Sequence, residues 1–150
     1  MKLIAHAYLA KSAIESEARR MCRLAWVVVN EHNVAIRGRD ALIDPLGWNM
    51  TEEAATLEGG GSFNKLFAAG QKVEDVLKRF IYDYECANEL YAKDAERFVS
   101  ILITEAKMLN LSANKRPGQR HSLPSECQNI DLSSGVMPLL AAFGFAGKTQ

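Results

Sequence analysis

The sequence predicts a mainly α fold, a single helical domain over residues 1–150 with at most a minor β element. Three observations carry this expectation. Apolar residues recur at helical spacing along most of the chain. No proline or glycine falls between Gln71 and Leu111. Ser12-Ala13-Ile14-Glu15 reads as a capping box, in which hydroxyl and carboxylate each satisfy an amide left free at a helix start.

Composition narrows the classes. With 150 residues, 48% hydrophobic and 24% charged, the chain can bury a core without staples. Its 18 basic and 18 acidic side chains cancel, so global charge steers no polyanion to it, although a local basic patch stays open. Cys22, Cys86 and Cys127 lack zinc-knuckle spacing, and an odd number suits a disulfide framework poorly. Reduced thiols and a cytoplasmic location are expected. The apolar run Leu3–Ala10 superficially resembles a signal peptide, but His6 interrupts it and Glu15 and Glu17 follow, so it is read as part of the fold, a removable signal being the alternative. No run of about 18 apolar residues exists to span a membrane.

The first helix is expected near 12 to 29, with Ile14, Ala18, Met21, Cys22, Ala25, Val28 and Val29 on one stripe and Cys22 therefore in the core. Trp26-Val27-Val28-Val29 is β-branched enough that the last turn could instead be a strand. Asn30–Asn33 reads as a turn, residues 34 to 36 as the minor β element, and Arg37–Asp40 as exposed and polar. Pro45 and Gly47 mark a loop that buries Trp48. Thr51, followed by Glu52 and Glu53, can start a brief helix that Gly59-Gly60-Gly61 ends. Those glycines lack the Lys-Ser/Thr of a phosphate loop and read as a connector. Ser62 caps a helix near 62 to 69, closed by Gly70.

From Gln71 the pattern supports either one helix of about 40 residues or two, near 71 to 84 and 86 to 111, meeting around Asp83–Cys86. The cluster Phe80, Tyr82 and Tyr84 tips the balance toward a break, because crowded aromatics bury more easily at a junction. Ser112–Gln128 reads as a loop carrying Lys115, Arg116, Arg120 and His121. Without interleaved aromatics it is a solvated face, so nucleic acid is not expected as a partner. The C-terminal stretch Val136–Phe145 is apolar and must be buried, in this domain or against a partner.

If a helix starts at Glu85 or Cys86, Cys86 sits among free amides at the positive end of its dipole, where a thiol becomes a nucleophile. Phe80-Ile81-Tyr82-Asp83-Tyr84-Glu85-Cys86-Ala87 resembles the aromatic-rich segment ending in Glu-Cys-Ala of the bacterial spore-coat type of transglutaminase, whose core is related to NlpC/P60 cysteine peptidases. The resemblance implies Cys86 as the acyl-accepting nucleophile and Glu85 as an assisting carboxylate. His121 is the only histidine downstream of Cys86 and is the candidate proton carrier. The family's later sheet of acidic and histidine residues has no counterpart by motif.

Two functions follow. The first is a small helical interaction or accessory protein of bacterial or phage type, binding a protein partner or forming a homo-oligomer, motivated by the long amphipathic 71 to 111 region and the apolar tail. The alternative is a cysteine-dependent acyl-transfer or amide-hydrolysing enzyme built on Cys86, Glu85 and His121. No HxxxH, HExxH or CxxC pattern is present, so neither metal nor cofactor is expected.

Overall fold

A computed structural model describes residues 1–14, 19–44, 69–112 and 118–146. The fold is mixed α/β, and this corrects the mainly α expectation. Five strands form one mixed sheet: β1 (Lys2–Ala10), β2 (Arg20–Val29), β3 (Ala35–Leu42), β4 (Glu89–Ala92) and β5 (Gln119–Ser122). Their order is β3-β2-β1-β4-β5, with β1, β2 and β3 antiparallel and β4 and β5 parallel to β1. Helices α1 (Val73–Cys86), α2 (Ala95–Met108) and the short α3 (Met137–Ala142) complete it.

The segment expected as a first helix is instead β2. Every residue from Met21 to Val29 is buried, because the strand is covered on both faces. A strand of that kind shows a continuous apolar run rather than alternation, so its spacing satisfied a helical template by accident. Its β-branched end and Trp26 were the honest sign of a strand. Arg23, the charge within the run, is tolerated because its Nε donates to Asp40 Oδ1 at 2.6 Å, its Nη1 to the Ser133 carbonyl at 2.8 Å, and its guanidinium lies 4.5 Å from the Tyr8 ring centre.

The minor β element at 34 to 36 is the start of a full edge strand, β3. The turn before it is held by Asn30, whose side-chain oxygen accepts from His32 N and Val34 N, while Asn33 takes the left-handed conformation at φ 63° that asparagine tolerates. The expected junction near Cys86 exists, but α1 ends there and leads into β4, so residues 86 to 111 comprise a strand and a helix. The loop around Trp48, the brief helix at Thr51, the glycine triplet and residues 62 to 68 lie outside the described residues.

The sheet separates two cores. On one face Leu3, Ala5, Leu24, Trp26 and Val28 meet α1 and α2 through Leu77, Phe80, Phe98 and Leu102. Trp26 and Phe80 pack edge to face at 5.2 Å, and Phe80 meets Phe98 at 5.5 Å. On the other face Ile4, Ala25, Val27 and Val29 are covered by Leu132, Val136, Leu139 and Leu140, which places the apolar C-terminal stretch inside this fold. Glu105, on α2, is 3% exposed and answers Arg20 through both oxygens and the Met21 amide. Among the described residues no helix is long and apolar enough to cross a membrane.

Candidate nucleic-acid interface

The residues singled out from sequence are dispersed. Cys86 is exposed and is the last residue of α1, so the premise that a helix starts at Glu85 or Cys86 is not met. His121 lies on β5, opposite Tyr91 of β4. Its Nε2 is 2.9 Å from Glu89 Oε1, which also accepts from the Tyr91 hydroxyl at 2.9 Å, and the His121 and Tyr91 rings stack at 4.4 Å. Burial first, then the bond to Glu89, hold the Tyr91 hydroxyl up at about 12. This cluster is closed on itself, and no hydrogen bond joins Cys86, Glu85 and His121 among the described residues.

A different site emerges from the strand lengths. β1 has nine residues but pairs with β4 only from Lys2 to Ile4. β4 ends at Ala92, and Lys93 and Asp94 carry the chain away into α2 while β1 continues past His6. The two strands therefore part at their carboxyl ends, at the place in the sheet where the strand order reverses, with β2 and β3 on one side of β1 and β4 and β5 on the other. Crevices of this kind are where open α/β sheets bind ligands. Here the crevice has a volume of about 240 Å³ and is lined in part by His6, Ala7, Lys93, Asp94, Arg97 and Gln128.

Its charge is mostly positive. Asp94 caps α2 by accepting from the Arg97 amide at 3.1 Å, and Ser122 Oγ accepts from the Ala95 amide at 2.8 Å, so side chains rather than the helix start face an incoming anion. Lys93 Nζ donates to the Ile130 carbonyl, and Gln128 Nε2 fixes the turn from below by donating to the Lys93 carbonyl at 2.7 Å. Arg97 is exposed and makes no ion pair among the described residues. Burial, then the charges of Lys93, Arg97 and Arg23, lower His6 to about 4, so its imidazole is neutral at pH 7 and packs edge-on against Tyr8 at 4.6 Å.

No family model and no curated protein matches the sequence. Solved structures do. Exonuclease I, described in terms of how processivity is achieved, superposes with a TM-score of 0.64 at 9% identity, over 80% of this chain and 27% of that one. The fold is similar to that of exonucleases. The nuclease domain of 3'hExo, a DEDDh family member bound to rAMP, gives 0.58 at 11% identity, over 75% of this chain and 60% of that one. A 3'-exonuclease that recognises the 3' end of a histone mRNA stem-loop gives 0.57 at 11%, over 75% and 54%. The chain thus spans about a quarter of exonuclease I and just over half of the other two.

This exonuclease-like fold overturns three expectations. The transglutaminase resemblance is a local coincidence of Glu85-Cys86-Ala87, since the surrounding sheet and helices are similar to nucleases. The helical interaction or accessory protein loses its basis, because the 71 to 111 region and the tail bury their apolar faces on the sheet. The exclusion of nucleic acid rested on the 112 to 128 loop, whose Arg120 is engaged by Glu96 at 2.6 Å, and a fold similar to exonucleases, one of them recognising an RNA stem-loop, removes that ground. Sequence reasoning passed over Lys93 and Arg97 because they sat inside a presumed continuous helix. Asp94 as a helix cap, its side chain accepting from the Arg97 amide, was the available clue.

Nucleases commonly place a pair of metal ions on carboxylates. The described crevice lining offers one, Asp94, already committed to the α2 amide, and among the described residues no group of three or more His, Cys, Asp or Glu could hold a metal ion. The described residues do not fit such a centre, and no step is derived through one.

Proposed function

We propose that this chain is a nucleic-acid-binding unit of exonuclease-like fold, which takes the sugar–phosphate backbone near a strand end into the crevice between β1 and α2. The observation that carries this reading is the pair Lys93 and Arg97 at the carboxyl ends of β1 and β4, in a fold similar to proteins whose names state exonuclease action. Arg97, which makes no ion pair among the described residues, supplies a forked donor suited to a phosphate, and Lys93 adds a point charge whose ammonium is positioned by donating to the Ile130 carbonyl. The neutral His6 contributes an uncharged ring against which a base or sugar can rest.

The test is fluorescence anisotropy with an end-labelled single-stranded oligonucleotide across a salt series. Binding should weaken steeply with salt, and Arg97→Glu should reduce the logarithmic slope by roughly 0.7, as expected on losing one phosphate contact to a single strand. The same oligonucleotide incubated with Mg²⁺ or Mn²⁺ and resolved by length is expected to stay intact. An Arg97→Glu protein that binds as well as the parent would remove the crevice from consideration.

A further inference from the structure

A second, wider concavity of about 740 Å³ lies away from the crevice, between edge strand β3 and helix α1. Arg37 and Arg39 enter its lining from β3, two residues apart and so on the same face of the strand. Lys78, Arg79 and Tyr82 enter it from α1, where a spacing of three and four makes them surface neighbours. Four cations therefore converge from two elements.

Their pairing leaves a surplus. Asp83, the carboxylate in this lining, is buried; its Oδ2 accepts from Trp26 Nε1 at 2.8 Å and its Oδ1 from Arg37. Arg37 is thus a wall of the groove, fixed by Asp83. Lys78 meets Glu74 at 3.1 Å across one helical turn, a solvent-exposed pair that salt and competing anions easily displace. Arg39 and Arg79 make no ion pair among the described residues. On the rim stands Tyr82, 68% exposed, an aromatic ring with no burial to account for it.

We propose that this groove is a second binding site for single-stranded nucleic acid, with Arg39, Arg79 and Lys78 on consecutive phosphates and a base stacked on Tyr82. A cationic track with an exposed aromatic is the arrangement that holds unpaired strands irrespective of sequence. The site rests on the nucleic-acid reading of the crevice and extends it to a segment of strand remote from the bound end. An acidic peptide would satisfy the cations but has no use for the ring.

The experiment uses the full chain and two labelled probes, a single strand of roughly 20 nucleotides and one of roughly 3, too short to occupy two sites. Arg39→Glu with Arg79→Glu should flatten the salt slope for the long probe by roughly 1.4, and Tyr82→Ala should weaken it roughly 5- to 150-fold, both leaving the short probe unchanged. Arg97→Glu should weaken both probes. If the groove variants bind the long probe like the parent while Arg97→Glu does not, the groove fails and the crevice stands; if the parent binds neither probe, both fail. Polyglutamate displacing the long probe as well as an unlabelled oligonucleotide does would also overturn the proposal. Photocrosslinking of the parent protein with an iodouracil strand keeps the question open to refutation even if a variant misfolds: adducts belong on the Tyr82 peptide, and adducts confined to crevice peptides would sink it.

Discussion

His6 shows how one side chain reports on its surroundings. Its imidazole titrates near 4 in the folded chain, chiefly through burial, against 6.5 when exposed. Below 6.5 the unfolded chain takes up a proton that the folded one refuses, so stability falls as pH drops from 6.5 to 4, by roughly 3 kcal/mol at the limit, and is unaffected by this group above 6.5. His6→Gln should remove that component. Urea midpoints measured at steps between pH 4 and 7 should slope less for the variant than for the parent, and identical slopes would refute the assignment. Bound phosphate, by offsetting Lys93 and Arg97, should make the proton easier to accept in the folded chain, so that the loss still begins near 6.5 but ends at a higher pH and is smaller.

At the scale of elements, α1 is attached to the sheet in part through Phe80, which is fully buried among Trp26, Tyr84 and Phe98. Phe80→Ala should cost about 3–5 kcal/mol, read from urea denaturation, and should alter the near-ultraviolet dichroism of Trp26. A loss below about 1 kcal/mol would mean that the helix is held by something else. The two long helices were legible in sequence because each has one wet face, so Val76, Leu77, Phe80, Ile81 and Tyr84 keep the helical period. Apart from the start of β3, the strands were not, for two physical reasons. β1 and β2 are buried on both sides and carry no alternation, while β4 and β5 have four residues each, shorter than any periodic signal. The basic surfaces were hidden because Arg37 and Arg39 are joined to Lys78, Arg79 and Tyr82 only by folding, and interleaving of cation and aromatic occurs across space rather than along the chain.

For the whole molecule, the sheet is a partition whose two sides depend on different parts of the chain. Removing residues 136–150 would strip Val136, Leu139 and Leu140 from Ile4, Ala25 and Val27. Such a truncation should bind a hydrophobic dye and lose a sharp unfolding transition, and a cooperative melt near that of the parent would contradict the two-sided core. The short pairing between β1 and β4 also bears on how the chain is made. The β1–β2–β3 meander can assemble as soon as residues 1–44 leave the ribosome, but the other edge of β1 waits for residues 89–92. At roughly 5–20 residues per second that interval lasts several seconds. During it the backbone of Lys2, Leu3 and Ile4 is an open template for any passing strand, with Lys2 the single charge that discourages misuse. Yield in a cell-free synthesis should therefore respond to the rate of translation between residues 45 and 88, which sets how long that edge waits for its partner.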